Sequence, residues 1–259
     1  MGKKRCTAVV LAAGRGSRMG SGVAKQYMLL RGRPLIWYAL HAVEESSVID
    51  DCILVTGAED ISYVKEEIVA KYGFSKVTAV VAGGKERYDS VYNGLLAVGN
   101  GAARDGDNLY APVHDGCIFI QDGARPFLTE EILKRCYEVV ERDHACVVGM
   151  PVKDTVKIVD ESGFASRTPD RNFIWQVQTP QVFDAPLILS AYERLMREKE
   201  RLLREGISIT DDAMVVETFT DCKVRLVEGS YSNMKVTTPE DMTVAEALLE
   251  WQRKEGGGF

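Results

Sequence analysis

Short apolar runs alternate with amphipathic stretches along the first two-thirds of the chain. CTAVVLAA, DCILVTG, VTAVVAGG, CIFIQDG and ACVVGMPV are rich in Val and Ile and flanked by turn residues, which predicts buried strands. Between them PLIWYALHAVEES, DISYVKEEIVAKYG, ERYDSVYNGLLAVG and TEEILKRCYEVVERDH carry the helical spacing. Pro34 suits a first helical turn, and Thr129 before Glu130 and Glu131 marks a capped helix start. Strand–helix alternation of this kind predicts an α/β fold with a Rossmann-like, mostly parallel sheet and helices on both faces. Ligands bind at the carboxyl ends of the strands in such sheets. Three conspicuous stretches fall at those ends: the Gly-rich run after the first strand, Gly83-Gly84, and Asp122-Gly123.

After the fifth strand the helical period disappears. PVKDTVKIVDESGFASRTPDRNFIWQVQTPQVF reads as two extended segments, 155–159 and 173–177, joined around Gly163 and Pro169. Two such strands have little core of their own, so a projecting β-arm at about 151–178 is expected to pack on a second subunit. The long charged helix PLILSAYERLMREKERLLREG follows, then a short one near DDAMVVETF, a strand at CKVRLVEG, and NMKVTTPEDMTVAEALLEWQRK. No internal repeat is present, and GNGAARDGDNLYAPVHDG has the composition of a surface loop. The expected organisation is a single domain over residues 1–259 carrying the arm.

Composition narrows the function classes. With 259 residues, 46% hydrophobic and 27% charged, the chain has an ordinary globular balance. A net charge of −6 argues against nucleic acid as a partner, yet leaves room for a local cationic site that takes a small anion. The six cysteines are scattered without a C-x-x-C pair, and only three histidines accompany them, so buried free thiols are expected rather than zinc or disulfides. The basic, briefly apolar N-terminus is too short for a signal peptide and runs into Gly-Arg-Gly-Ser-Arg, and no stretch is long enough to span a bilayer. A cytoplasmic enzyme without a membrane partner is the expectation.

The chemistry begins at AAGRGSRMG. Its order Gly14-x-Gly16-x-x-x-Gly20 is not the dinucleotide fingerprint, and no Lys-Ser or Lys-Thr pair follows to make a P-loop. What remains is a Gly-rich turn bearing Arg15 and Arg18, with Lys25 a few residues on. Backbone N–H groups there can face phosphate oxygens while the cations neutralise charge, which predicts a polyphosphate or nucleotide loop. GGKERYDSVYNGL offers a helix start beside paired glycines, either an anion and base site or a tight turn with a charged first turn. In IQDGARPFL, Asp122 can hold Mg²⁺ directly or through water against triphosphate oxygens, and Arg125 either faces a ligand or locks the loop to a carboxylate. The arm's Lys153, Asp154, Thr155, Lys157, Arg167 and Arg171 equally suit a solvated surface. Lys235, expected in a short strand, and Thr210 and Asp211 at a helix start are in position to face a shared pocket; an exposed strand edge is the plainer alternative for the lysine.

These five stretches, in this order, resemble the 2-C-methyl-D-erythritol 4-phosphate cytidylyltransferase family of the non-mevalonate isoprenoid pathway. The resemblance runs from Ala8 to about Leu249 and rests on AAGRGSRMG with AKQY, DGARP, PVKDTVK with TPDRNFIWQVQTPQ, ITDDA and NMKVTTPED. It implies the nucleotidyltransferase (GT-A-like) version of the fold, CTP and methylerythritol phosphate (a polyol phosphate) as substrates, Mg²⁺, and a homodimer through the arm. It implies catalytic roles for Arg18, Lys25 and Lys235 on the triphosphate. Ala12, Ala13, Gly14, Gly16, Gly84, Ser90 and Asp122 would contact CTP, with Asp122 also the metal candidate. Arg125, Thr155, Arg171, Thr179 and Thr210 would hold the acceptor, Thr155 and Arg171 reaching from the arm into the partner's site.

The chain departs from the pattern in places. Gln121-Asp122-Gly123 stands where many relatives have His-Asp-Ala, Lys85 stands where an acidic residue is common, and the loop from Gly99 to Gly116 is long. The end at Phe259 implies that the fused second enzyme of bifunctional relatives is absent. Ribitol 5-phosphate cytidylyltransferases share the fold and CTP loop but favour Ala-Gly-Gly at the start and a different arm. A noncatalytic nucleotide sensor of the same fold is the alternative from another class, and the joint presence of Arg18, Lys25, Asp122 and Lys235 argues against it.

Overall fold

The computed structural model describes residues 2–14, 24–99 and 115–254. Its elements run β1 (Cys6–Ala12), β2 (Leu29–Leu30), β3 (Arg33–Pro34), α1 (Leu35–Glu45), β4 (Asp51–Thr56) and α2 (Ile61–Tyr63), which continues as a π-helical stretch over Val64–Ala70. Then come β5 (Val77–Ala82), α3 (Arg87–Gly99), β6 (Cys117–Asp122), α4 (Glu130–Asp143), β7 (Ala145–Pro151), β8 (Ile158–Val159) and β9 (Ala165–Arg167). The last elements are β10 (Trp175–Asp184), α5 (Ala185–Arg204), α6 (Asp212–Phe219), β11 (Arg225–Glu228) and α7 (Pro239–Lys254).

Seven strands form one sheet in the order β11-β7-β10-β6-β1-β4-β5. All run the same way except β10, which is antiparallel to both β6 and β7. The sheet is therefore mostly parallel, as its apolar runs predict. From β1 the chain first builds outward to β4 and β5, then returns to place β6 on the other side. Reversal at β1 opens a crevice above the strand ends, the usual ligand position in this architecture.

Burial on both faces explains why the strands read as continuous apolar runs. Cys6, Ala8, Val10 and Ala12 of β1 join one core with α1, α4 and α7. Val9 joins a second core on the opposite face with α3, α5 and α6. Five of the cysteines are buried free thiols and Cys222 is partly buried, as expected from their apolar settings.

Two expectations are corrected. The segment 173–177 does not pair with the arm's first extended segment: Trp175–Asp184 is a sheet strand, bonded to β7 and β6. The hairpin outside the sheet is instead β8 with β9, where Asp160 accepts from the amides of Ser162 and Phe164 and Gly163 takes a positive φ of 85°. Lys235 lies in an irregular stretch before α7 rather than in a strand. Its neighbour Val236 donates its amide to the Ala124 carbonyl at 2.9 Å, which ties that stretch to the loop after β6.

Candidate active site

A cleft of about 660 Å³ opens at the carboxyl ends of β1, β5 and β6. That volume is in the range of small-molecule sites. Of the residues singled out from sequence, Ala12, Ala13, Gly14, Lys25, Gly84, Ser90, Asp122 and Lys235 all line it. The calls on Gly16 and Arg18, like the neighbouring Arg15, lie outside the described residues.

One wall is the turn from β5 into α3. A Cβ on Gly83 would stand 2.3 Å from Ala13 Cβ, and one on Gly84 would stand 2.3 Å from Asp89 Cβ. Glycine at 83 lets the turn sit close to the end of β1, and glycine at 84 lets it fold back onto the first turn of α3. Ser90 in the first turn of α3 accepts the Gly84 amide at 3.0 Å and donates to the Glu86 carbonyl at 3.2 Å. The hydroxyl thus fixes the glycine turn from below.

The floor is organised around Asp122 at the end of β6. Lys235 Nζ lies 2.9 Å from its Oδ2, Arg125 Nε 3.5 Å from the same oxygen, and Arg87 Nε 3.9 Å from Oδ1. Burial alone would raise the carboxyl pKa; the charge of Lys235, then those of Arg87 and Arg125, overcomes it and lowers the value to about 2. Asp122 is therefore a fixed anion that positions cations. The Asp122 amide donates to Thr179 Oγ1 at 3.1 Å, so Thr179 is buried beneath the floor. A register shift in β10 between Val177 and Gln181 accompanies that placement. Arg125 donates through Nη1 to the Asn233 carbonyl at 2.8 Å, and Asn233 Nδ2 in turn donates to the Thr179 carbonyl at 2.9 Å. The arginine thereby locks the DGARP loop to the segment that carries Lys235. Lys25 donates to the Val236 carbonyl at 3.1 Å, which brings it beside Lys235 at the rim.

The remaining sequence assignments lie away from the cleft lining. Thr155 and Arg171 are exposed in the arm region, where Arg171 donates to the Lys153 carbonyl at 3.1 Å. Thr210 is exposed just before Asp211, which caps α6 by accepting the Met214 amide at 2.9 Å.

Sequence reasoning noticed Arg87 but gave it no role, and it missed Asp212, Asn233 and Gln26. Arg87 lines the cleft and makes a bidentate pair with Asp212 at 2.8 and 2.7 Å. Burial works against the Arg87 charge, but Asp212 more than offsets it and keeps the guanidinium charged. Gln26, buried next to Lys25, donates to the Ala12 carbonyl at 2.6 Å. An arginine opening a helix after a Gly-Gly turn was the readable signal for Arg87; nothing local marks its partner 125 residues away.

The lining supports metal chemistry of a restricted kind. Among the described residues no group of three or more His, Cys, Asp or Glu side chains could hold an ion. Mg²⁺ commonly takes one or two carboxylates and completes its shell with substrate phosphates and water. Asp122 Oδ1, with Arg87 Nε 3.9 Å away, fits that role for a metal carried in on a triphosphate.

Comparison with known proteins gives a consistent set of relatives. The family profile for 2-C-methyl-D-erythritol 4-phosphate cytidylyltransferase (IspD) matches residues 6–251. A 2-C-methyl-D-erythritol 4-phosphate cytidylyltransferase of Lachnospira eligens is 46% identical over 244 residues, covering 94% of this chain and 99% of the relative. One from Lachnoclostridium phytofermentans is 46% identical over 246 residues, covering 95% of this chain and 97% of the relative. The crystal structure of 4-diphosphocytidyl-2C-methyl-D-erythritol synthase from Anaerococcus prevotii superposes with a TM-score of 0.75 at 32% identity, covering 96% of this chain and 97% of that one.

Proposed function

The chain belongs to the 2-C-methyl-D-erythritol 4-phosphate cytidylyltransferase family, and from that premise we propose how its residues carry out the transfer. The reaction joins CTP and 2-C-methyl-D-erythritol 4-phosphate into 4-diphosphocytidyl-2-C-methyl-D-erythritol with release of pyrophosphate. An acceptor phosphate oxygen bonds to the α-phosphorus of CTP, and the bond from that phosphorus to the bridging oxygen breaks. The acceptor is already an anion, so no general base is needed. Catalysis consists of bringing two anions into line and stabilising charge at phosphorus.

The observation that carries this reading is the convergence of Lys25, Lys235 and the Gly83-Gly84 turn on one cleft at the strand ends. The glycine turn, Ala12–Gly14 and Ser90 form a wall of small groups suited to the edge of cytosine. Lys25 and Lys235 stand where a triphosphate would lie, with Arg18 assigned to the same task. Asp122 aims Lys235 and offers Oδ1 to Mg²⁺, which when bound would draw charge from the triphosphate oxygens. Arg125 and Thr179 hold this floor in shape. Thr210 stands at the acceptor side.

The arm makes the second part of the proposal. Phe164 and Phe173 are 74% and 82% exposed, an apolar surface that suits burial against a second copy of the chain. A homodimer built this way would bring Thr155 and Arg171 to the partner's acceptor site. No helix among the described residues is long and apolar enough to cross a membrane. We place the reaction in the cytoplasm.

Pyrophosphate release from CTP with Mg²⁺ tests the substrate, with methylerythritol phosphate and ribitol 5-phosphate compared in parallel. Release with the first alone is expected; release with ribitol 5-phosphate alone would overturn the acceptor assignment. Mixing Lys235→Ala with Arg171→Ala protein tests the shared site. Recovered activity is expected, and none in demonstrated mixed dimers would confine each site to one chain.

A further inference from the structure

A buried chain of polar groups begins in the core and ends at the cleft wall. Tyr192, fully buried in α5, donates its hydroxyl to Asp212 Oδ1 at 2.5 Å. Burial and then the Asp212 charge push the tyrosine well above its ordinary pKa, so it remains a donor. Asp212, the first residue of α6 and fully buried, receives both terminal nitrogens of Arg87 at 2.8 and 2.7 Å. Arg87, the first residue of α3, has a side chain 30% exposed at the cleft, with Nε 3.9 Å from Asp122 Oδ1.

As a device for stability alone this arrangement is a poor choice. Removing a carboxylate and a guanidinium from water is costly, and an apolar trio of similar volume would hold α3, α5 and α6 together at least as well. What an apolar trio cannot do is fix a planar guanidinium in one orientation. Two parallel N–H···O bonds to a carboxylate do that, and the hydroxyl of Tyr192 fixes the carboxylate in turn. The brace also joins the first turn of α3, which supports Gly84 through Ser90, to the first turn of α6, which follows Thr210. Through Asp211 the same end of α6 is bonded to Gln181 of β10 at 3.0 Å.

We propose that Tyr192, Asp212 and Arg87 form a positioning relay that holds the Arg87 guanidinium against Asp122 and so keeps Asp122 oriented to aim Lys235 into the cleft. Tyr192 and Asp212 touch no substrate; they act through Arg87, and Arg87 acts through Asp122. This rests on the cytidylyl-transfer reading above, in which Lys235 serves the triphosphate.

The test is a double-mutant cycle on the full-length enzyme, read as pyrophosphate release from CTP and methylerythritol phosphate with Mg²⁺. Tyr192→Phe keeps the ring and its packing and removes only the hydroxyl. Its kcat is expected to fall about threefold to tenfold, the size of one typical lost hydrogen bond, while the KM for CTP changes little. Asp212→Asn is expected to lose more, about a hundredfold, because the charged fork to Arg87 goes with it. In an Asp122→Asn background, Tyr192→Phe should cause no further loss, since the link it acts through is already cut. Losses that multiply in that background would overturn the relay and leave the triad a structural brace. So would unchanged kcat in folded Tyr192→Phe and Asp212→Asn proteins. Should Asp212→Asn fail to fold, Tyr192→Phe with and without Asp122→Asn decides alone. Wild-type silence with both substrates is a different result: it sinks the transfer reading, whereas an active wild type with indifferent variants sinks only the relay.

Discussion

Two aspartates show how differently the cleft and the arm are built. Asp122 is buried at the end of a sheet strand and holds Lys235, Arg125 and Arg87 around one carboxylate. Asp160 is exposed at the tip of the β8–β9 hairpin, and its carboxylate accepts the nearby amides of Ser162 and Phe164. Asp122 gathers partners from the loop after β6, from α3 and from the stretch before α7, so its geometry depends on the whole fold. Asp160 depends on four residues of local chain. The aromatic rings follow the same division: Tyr192 is wholly buried, while Phe173 is 82% exposed. A site that must place charges accurately is built on long-range contacts, and the exposed hairpin is built on local turns.

The strongest way to break this contrast is at Lys235. Lys235→Ala is expected to reduce kcat by about a thousandfold, the loss typical of a group that stabilises transition-state charge, and to cost about 1–2 kcal/mol in unfolding because Asp122 then keeps only Arg87 and Arg125 as counter-charges. Near-normal turnover in the folded variant would remove Lys235 from the reaction. Asp122→Ala tests the floor itself. It leaves the buried Arg125 and the partly exposed Lys235 without their counter-charge and should cost about 3 kcal/mol in urea unfolding, far more than any single substitution on the hairpin. A loss below about 0.5 kcal/mol would put Asp122 in the same class as Asp160.

The same cluster carries a pH signature. The folded pKa of Asp122 is depressed to about 2 from 3.8, so its contribution to stability is fully present above pH 3.8 and is lost as pH falls through about 2. The gap in urea midpoint between wild type and Asp122→Asn should therefore shrink across that window. A gap independent of pH would mean that its carboxylate is not held by these charges.

Smaller effects sharpen the comparison. Gly83→Ala forces a methyl against Ala13 and should cost about 1–3 kcal/mol and weaken CTP binding measured by calorimetry. Intact affinity would show that the turn has room to retreat. On the arm, Phe173→Ser should change unfolding by less than about 0.5 kcal/mol and yet convert dimer to monomer in sedimentation velocity. An unchanged sedimentation coefficient would take Phe173 out of the interface.

Much of this was legible along the chain. Apolar runs such as CTAVVLAA and CIFIQDG specify buried strands because both of their faces meet helices, and the glycines and Asp122 announce strand ends. The alternation of those runs with helical periods fixes a mostly parallel sheet, and the order of the motifs marks the family. Lys25 and Asp122 could be picked out because they follow a Gly-rich turn and close a strand, whereas Lys235, for which an exposed strand edge is the plainer local reading, is marked by the NMKVTTPED motif of the resemblance. The tertiary structure decided the rest. It moved residues 175–178 from the arm into the sheet strand β10, because sheet pairing depends on a partner strand about thirty residues away that no local pattern names. It turned Arg125 and Thr179 beneath the floor and paired Arg87 with Asp212, 125 residues on. Periodicity records which residues face a core; which charge meets which is settled only when distant strand and helix ends are brought to one edge of the sheet.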